Sequence, residues 1–157
     1  MEKAFLKTPL GIASVEGDEQ GISRISILDT QDVPSEKVPD SLKDCVKQLQ
    51  EYFSGERKKF DLKLNPQGTE FQQKVWQTLQ QIPYGKTISY MELSLKVGDI
   101  KAIRAVAAAN GKNPLWIVIP CHRVIGSDGS LTGYAGGLWR KKCLLDHENP
   151  PVQKSLF

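Results

Sequence analysis

Apolar and polar positions change rhythm along the chain. Short apolar runs at 4–7, 12–16 and 22–28 are separated by turn-rich stretches at 8–11 and 17–21. Ile25 and Ile27 alternate with Arg24 and Ser26, the period of two of a half-buried strand, so the opening predicts an antiparallel sheet. A polar loop is expected at 30–39. Over 41–53, Leu42, Cys45, Val46, Leu49 and Phe53 recur at helical spacing, and Gly55 stands where a C-terminal cap belongs. Residues 60–64 alternate as a strand, and Asn65-Pro66-Gln67-Gly68 reads as a linker.

Beyond the linker the rhythm is helical. Thr69 with Gln72 three residues on is a capping-box signature, and Phe71, Val75, Leu79 and Ile82 form one stripe, predicting a helix over 69–82. A short helix at 90–97 ends at Gly98. Asp99 can cap a second, which runs to Asn110. A helix, a tight glycine turn and a helix form the helix-turn-helix outline. On the second helix Ile100, Ile103, Val106 and Ala107 are expected to bury, while Lys101, Arg104, Ala105 and Ala108 share the other face. Small residues between cations permit close approach to a phosphate backbone, and they equally suit a helix–helix contact. A last helix is predicted at 138–147, with Leu138, Leu144 and Leu145 apolar, Arg140, Lys141 and Lys142 solvated, and Cys143 structural.

Composition narrows the class. A chain of 157 residues, 39% hydrophobic and 25% charged, suits one domain or two small ones. It holds no apolar run near the roughly 20 residues that span a bilayer, and its first ten residues do not read as a signal peptide. The expected partners therefore include no membrane. Cys45, Cys121 and Cys143 make no CxxC pair, which favours a reducing, cytoplasmic address over a disulfide framework or a zinc site. Residues 1–68 carry ten Lys/Arg against twelve Asp/Glu, and residues 69–157 eleven against six. The basic half points to a polyanionic partner, although ordinary solvated faces would produce the same balance.

The densest chemistry lies at 115–124, Leu-Trp-Ile-Val-Ile-Pro-Cys-His-Arg-Val. The β-branched run 117–119 is expected to be extended and buried, with Pro120 ending it and turning Cys121 into a sharp change of direction. A thiol there, beside His122 and Arg123, suits an activated nucleophile; a buried inert cysteine is the alternative. Neighbours along a chain do not face each other, so a water between Cys121 and His122 is the more plausible link, with a third group orienting the imidazole. Glu148 is the candidate orienter and His147 its rival. Glycines around Tyr134 would let a flat ligand approach backbone amides.

Pro120-Cys121-His122-Arg123-Val124, with Asn113-Pro114 upstream and Gly133-Tyr134-Ala135-Gly136-Gly137-Leu138 downstream, closely resembles the O6-alkylguanine-DNA alkyltransferases, also called methylated-DNA–protein-cysteine methyltransferases. The resemblance covers 69–148; residues 1–66 fit the family's N-terminal domain more loosely. It implies an α+β chain: a ribonuclease-H-like α/β domain over 1–66 and a helical, winged-helix-like domain with the helix-turn-helix over 67–157. The implied activity is single-turnover DNA repair, in which an alkyl group, chiefly methyl, passes from O6-alkylguanine to the protein's own cysteine. O4-methylthymine is a second candidate substrate. The implied partner is duplex DNA, bound through the minor groove by a monomer that rotates the damaged nucleotide out of the stack.

The resemblance assigns roles residue by residue. Cys121 is the nucleophile, His122 its water-relayed base, and Glu148 the orienter of His122. Asn113 fixes the active-site turn. Tyr90 donates a proton to the departing guanine and helps rotate the phosphate. Arg104 fills the gap left in the duplex, and Gln72, Met91, Asp99 and Ser127 lie near the DNA backbone. Tyr134, Ala135, Gly136 and Trp116 form the base pocket, with the Ala135 amide facing O6. No metal and no cofactor are implied. Trp116 and Asn110 stand where some relatives carry smaller or apolar residues, which leaves the preferred alkyl size open.

Three rivals make other demands. An alkyltransferase-like lesion-binding module would lack the reactive cysteine. A thiol hydrolase would turn over. A helix-turn-helix regulator would carry base-reading Asn, Gln or Arg near the start of its second helix, where this chain has mostly alanine.

Overall fold

The computed structural model describes residues 1–29 and 33–150. Three residues of the expected loop 30–39, and residues 151–157 of the expected C-terminal domain, lie outside the described residues. Strands β1 (Glu2–Thr8), β2 (Gly11–Asp18) and β3 (Gly21–Leu28) form an antiparallel meander in the order β1-β2-β3. Its register runs from Glu2 opposite Gly17 to Thr8 opposite Gly11, so Ala4, Leu6, Ala13 and Val15 share the buried face. Helix α1 (Asp40–Phe53) covers that face with Leu42, Cys45, Leu49 and Tyr52, all buried.

The second half is built on α2 (Glu70–Leu79), α3 (Tyr90–Val97) and α4 (Ile103–Gly111). Thr69 and Gln72 form the expected capping box, and Ser89 with Glu92 forms another at the start of α3. Gly98 closes α3 with φ +113°, a left-handed conformation that favours glycine. Asp99 accepts a hydrogen bond from the Lys101 amide (2.9 Å) and starts a 3-10 turn, Ile100–Ala102, that leads into α4. The buried Trp76 of α2 ties the helices together by donating its indole N–H to the Ala109 carbonyl (2.9 Å). Two residues each from β4 (Ile88–Ser89) and β5 (Val124–Ile125) pair in parallel. Helix α5 (Leu138–Glu148) completes the described chain.

Several expectations are corrected. Residues 60–64 are not a strand: only Leu64 bridges to Ile22, and the Gln48 side chain takes a strand partner's place by bonding both the N–H and the carbonyl of Asp61 (2.9 Å each). The run 117–119 is buried but coiled, with Ile117 at φ +73°. There the Asn113 side chain takes the strand partner's place, accepting from the Leu115 amide (2.9 Å) and donating to the Ile119 carbonyl (2.7 Å). Ile100 is 46% exposed because the chain enters α4 through the 3-10 turn rather than a regular helix. Phe71, in the first turn of α2, also reaches solvent.

Candidate active site

Pro120 leads into a 3-10 turn, Cys121–Arg123, that aims three successive side chains in different directions. The Cys121 thiol is buried at the base of a pocket of about 140 Å³. Tyr90, Asn110, Asn113, Trp116, Tyr134 and Ala135 also line this pocket. Burial pushes the thiol up to about 11, against the opposing effects of the Asn113 side chain and the Lys141 charge.

His122 points the other way, fully buried. Its Nε2–H donates to Glu148 Oε2 at 2.7 Å, while Nδ1 is buried with no partner. Burial lowers the imidazole's pKa despite the carboxylate beside it, so the ring is neutral with its acceptor nitrogen open. The tautomer follows from the carboxylate. Burial opposes ionisation of Glu148, but hydrogen bonds from His122 and Arg123 prevail and hold it far below the usual carboxylate range. Arg123 Nε donates to Oε1 (2.7 Å) and Nη2 to Oε2 (2.9 Å), a bidentate clamp, and Nη1 donates to the Ile82 carbonyl (2.7 Å). The Tyr52 hydroxyl of α1 also donates to Oε2, at 2.7 Å.

The wall opposite α4 is the loop between β5 and α5. Lys141, fully buried on α5, donates to the carbonyls of Thr132 (2.8 Å) and Gly133 (3.2 Å), and Tyr90 Oη donates to Thr132 at 3.3 Å. Trp116 and Tyr134 pack at 5.6 Å between ring centroids. Gly136 lies behind this wall, where a Cβ would come within 2.9 Å of both rings, so only glycine lets them meet.

The two halves of the sequence match two parts of one family. Residues 1–66 match the model of 6-O-methylguanine DNA methyltransferase, ribonuclease-like domain, and residues 70–150 that of its DNA binding domain. The chain belongs to the 6-O-methylguanine DNA methyltransferase family. Its fold is the expected α+β arrangement. Its activity is that of a methylated-DNA–protein-cysteine methyltransferase: direct repair of DNA by alkyl transfer to a cysteine of the protein. The chain is 44% identical to the methylated-DNA–protein-cysteine methyltransferase of Methanosarcina acetivorans, covering 94% of this chain and 98% of that one. It is 41% identical to the solved O6-methylguanine methyltransferase of Mycobacterium tuberculosis (TM-score 0.83, covering 97% of this chain and 94% of that one). It is 42% identical to that organism's OGT in complex with DNA (TM-score 0.82, covering 92% and 90%).

In this methyltransferase Tyr90 and Asn113, expected to act in catalysis, and the expected pocket residues Trp116, Tyr134 and Ala135 come together around Cys121. Gly136 supports the wall without lining the pocket. Arg104 is exposed on α4, Met91 on α3 and Ser127 in the turn after β5. Gln72 and Asp99 use side-chain oxygens as helix caps. Four expectations on α5 and its surroundings are corrected. His147 does not orient His122: its Nε2 lies 2.7 Å from the Tyr52 carbonyl. Cys143 is exposed. Lys141 and Arg140 are buried, because each meets carbonyls that a solvated cation would leave unpaired. Arg140 donates to Leu10 O (3.0 Å), Gly136 O (3.0 Å) and Asp29 Oδ1 (2.6 Å). Sequence reasoning missed Tyr52 and Lys141, and it set Arg123 beside the thiol, whereas it faces Glu148. A helical cation carries no local mark of burial. Tyr52 needed the packing of α1 against the second half to be known.

Among the described residues no helix is long and apolar enough to cross a membrane.

Proposed function

We propose that Cys121 accepts the alkyl group, chiefly methyl, from O6-alkylguanine flipped out of duplex DNA. The observation that carries this reading is the neutral His122, its Nε2–H committed to Glu148 and its Nδ1 open, one residue along the chain from a buried thiol that needs deprotonation. The thiol proton passes through a water to Nδ1. The sulfur attacks the alkyl carbon in line with the C–O6 bond, so an S–C bond forms as C–O breaks. Tyr90 gives the departing base a proton and is reprotonated from solvent, while His122 releases to solvent the proton it took from the thiol. The net change is thiol and alkylguanine to thioether and guanine. A thioether has no ready hydrolytic route, so each protein reacts once.

DNA is bound in the minor groove by α3 and α4, with Arg104 filling the vacated stack. Met91 and Ser127 reach the backbone, as do the capped helix starts at Gln72 and Asp99. The exposed cation on a face of alanines supports this, as does the relative solved in complex with DNA. All the reacting groups come from one chain, which supports a monomer, and the three free cysteines support a cytoplasmic address.

The test is incubation with O6-methylguanine duplex, followed by intact mass and peptide mapping. The expected result is one methyl per protein, on Cys121, with Cys121→Ser still binding DNA but transferring nothing. Turnover, or a methyl on Cys45 or Cys143, would falsify the assignment.

A further inference from the structure

Tyr52 reaches the proton relay from the other half of the chain, and the proposed chemistry gives it no part. It stands near the end of α1, fully buried, with its ring against Phe53 (5.2 Å between centroids), His147 (4.8 Å) and Tyr84 (6.2 Å). Its hydroxyl donates to Glu148 Oε2 at 2.7 Å. Burial, with the carboxylate beside it, pushes the phenol's own ionisation up, so it remains a donor.

The choice of oxygen matters. Glu148 Oε1 accepts from Arg123 Nε (2.7 Å) and the Gly85 amide (3.3 Å), one donor for each lone pair. Oε2 accepts from three: Tyr52 Oη, His122 Nε2 (2.7 Å) and Arg123 Nη2 (2.9 Å). An oxygen with two lone pairs cannot serve three donors at full strength, so what the phenol takes is withheld from His122. The imidazole transmits that difference. The harder a carboxylate pulls on Nε2–H, the more basic is Nδ1 across the ring, because the negative charge stabilises a proton arriving there. The other charges on His122 are Arg123 on its own turn and Lys141 on α5; both disfavour a proton on the ring, and neither bonds Tyr52. Tyr84 faces the Arg123 guanidinium, and Cys121 and Tyr134 on the pocket side are neutral because burial pushes their ionisation up. We infer that Tyr52 is a positioning residue for the transfer: through its bond to Glu148 Oε2 it moderates the basicity of His122 and so sets how far into acid the relay keeps Nδ1 open.

This role rests on Cys121 as the alkyl acceptor and His122 as its base, and the experiment separates them. Wild type and Tyr52→Phe, which removes one oxygen and keeps the ring, are reacted with O6-methylguanine duplex under single-turnover conditions from acid to neutral pH. Methyl-protein is counted by intact mass. The acid limb of the rate should move up in the variant by about half to one pH unit, as the loss of one ordinary hydrogen bond implies. In proton NMR at neutral pH, without DNA, the His122 Nε2–H signal should move downfield as its bond to Glu148 strengthens; His147→Gln tells it from the other histidine. A Tyr52 that only fills space would lower the rate equally at every pH and leave limb and signal in place, which would overturn the inference. So would a limb that moves down, or a signal that moves without the limb. Should Tyr52→Phe not fold, 3-fluorotyrosine at position 52 keeps the ring and makes the hydroxyl a stronger donor. The limb should then move down, and an unmoved limb decides against the role. No methyl on Cys121 of wild type would overturn the alkyl-acceptor reading and this role with it, whereas normal methylation with an unmoved limb overturns this role alone.

Discussion

Cys121 has a raised pKa, which argues for a base at work rather than a standing thiolate. The pH profile of transfer tests this. Burial holds the pKa of His122 below its ordinary value of about 6.5, so the imidazole stays an unprotonated base as pH falls through that value. The rate should therefore stay flat through pH 6.5 and decline only at lower pH, where Nδ1 finally binds a proton. A midpoint at or above 6.5 would mean that another group limits the reaction. The same burial gives stability a sign. His122 and Glu148 both have lowered pKa values in the fold, so what they contribute is present above their unfolded values and is lost as pH falls. Trp116 is half-buried and lines the pocket. Trp116→Ala is expected to raise the ratio of O6-benzylguanine to O6-methylguanine reaction while the protein stays folded. A core ring would instead cost about 3–5 kcal/mol and depress both reactions together, so the two rates and the unfolding midpoint decide.

At the scale of elements, the start of α2 and the end of α3 were legible because Thr69 with Gln72 and Gly98 mark them, whereas Asp99 starts only the 3-10 turn that precedes α4. The meander was legible because one face is polar. Residues 60–64 and 117–119 were not. Alternation and β-branching report burial, and the partner that satisfied the backbone was a side chain, Gln48 or Asn113, far from or next to the segment it replaced. The motif around Cys121 revealed the site's chemistry, but not the inward turn of Lys141, which depends on two loop carbonyls. For α4, Arg104→Ala is expected to slow transfer from duplex DNA about tenfold or more beyond any effect on free O6-methylguanine, because a stacked wedge offsets an unstacking cost of a few kcal/mol. Equal losses on the two substrates would show that Arg104 serves folding or chemistry instead.

For the whole molecule, the two halves matched by separate family models meet through specific bonds. The Leu115 segment bridges to Ile25 of β3, Arg140 reaches Leu10 and Asp29, and Tyr52 of α1 shares Oε2 of Glu148 with His122 and Arg123. That shared oxygen has a thermodynamic consequence. Unfolding the first half alone would strip a donor from a buried carboxylate and leave it short of partners, while unfolding the second half alone would orphan the Tyr52 hydroxyl. Neither half has a cheap partially unfolded state, so heat should melt the chain in one transition. Its calorimetric enthalpy should equal the van't Hoff enthalpy, and two resolved peaks would show that the halves melt independently. A boundary drawn in the sequence at residues 66–70 is then no boundary in cooperativity.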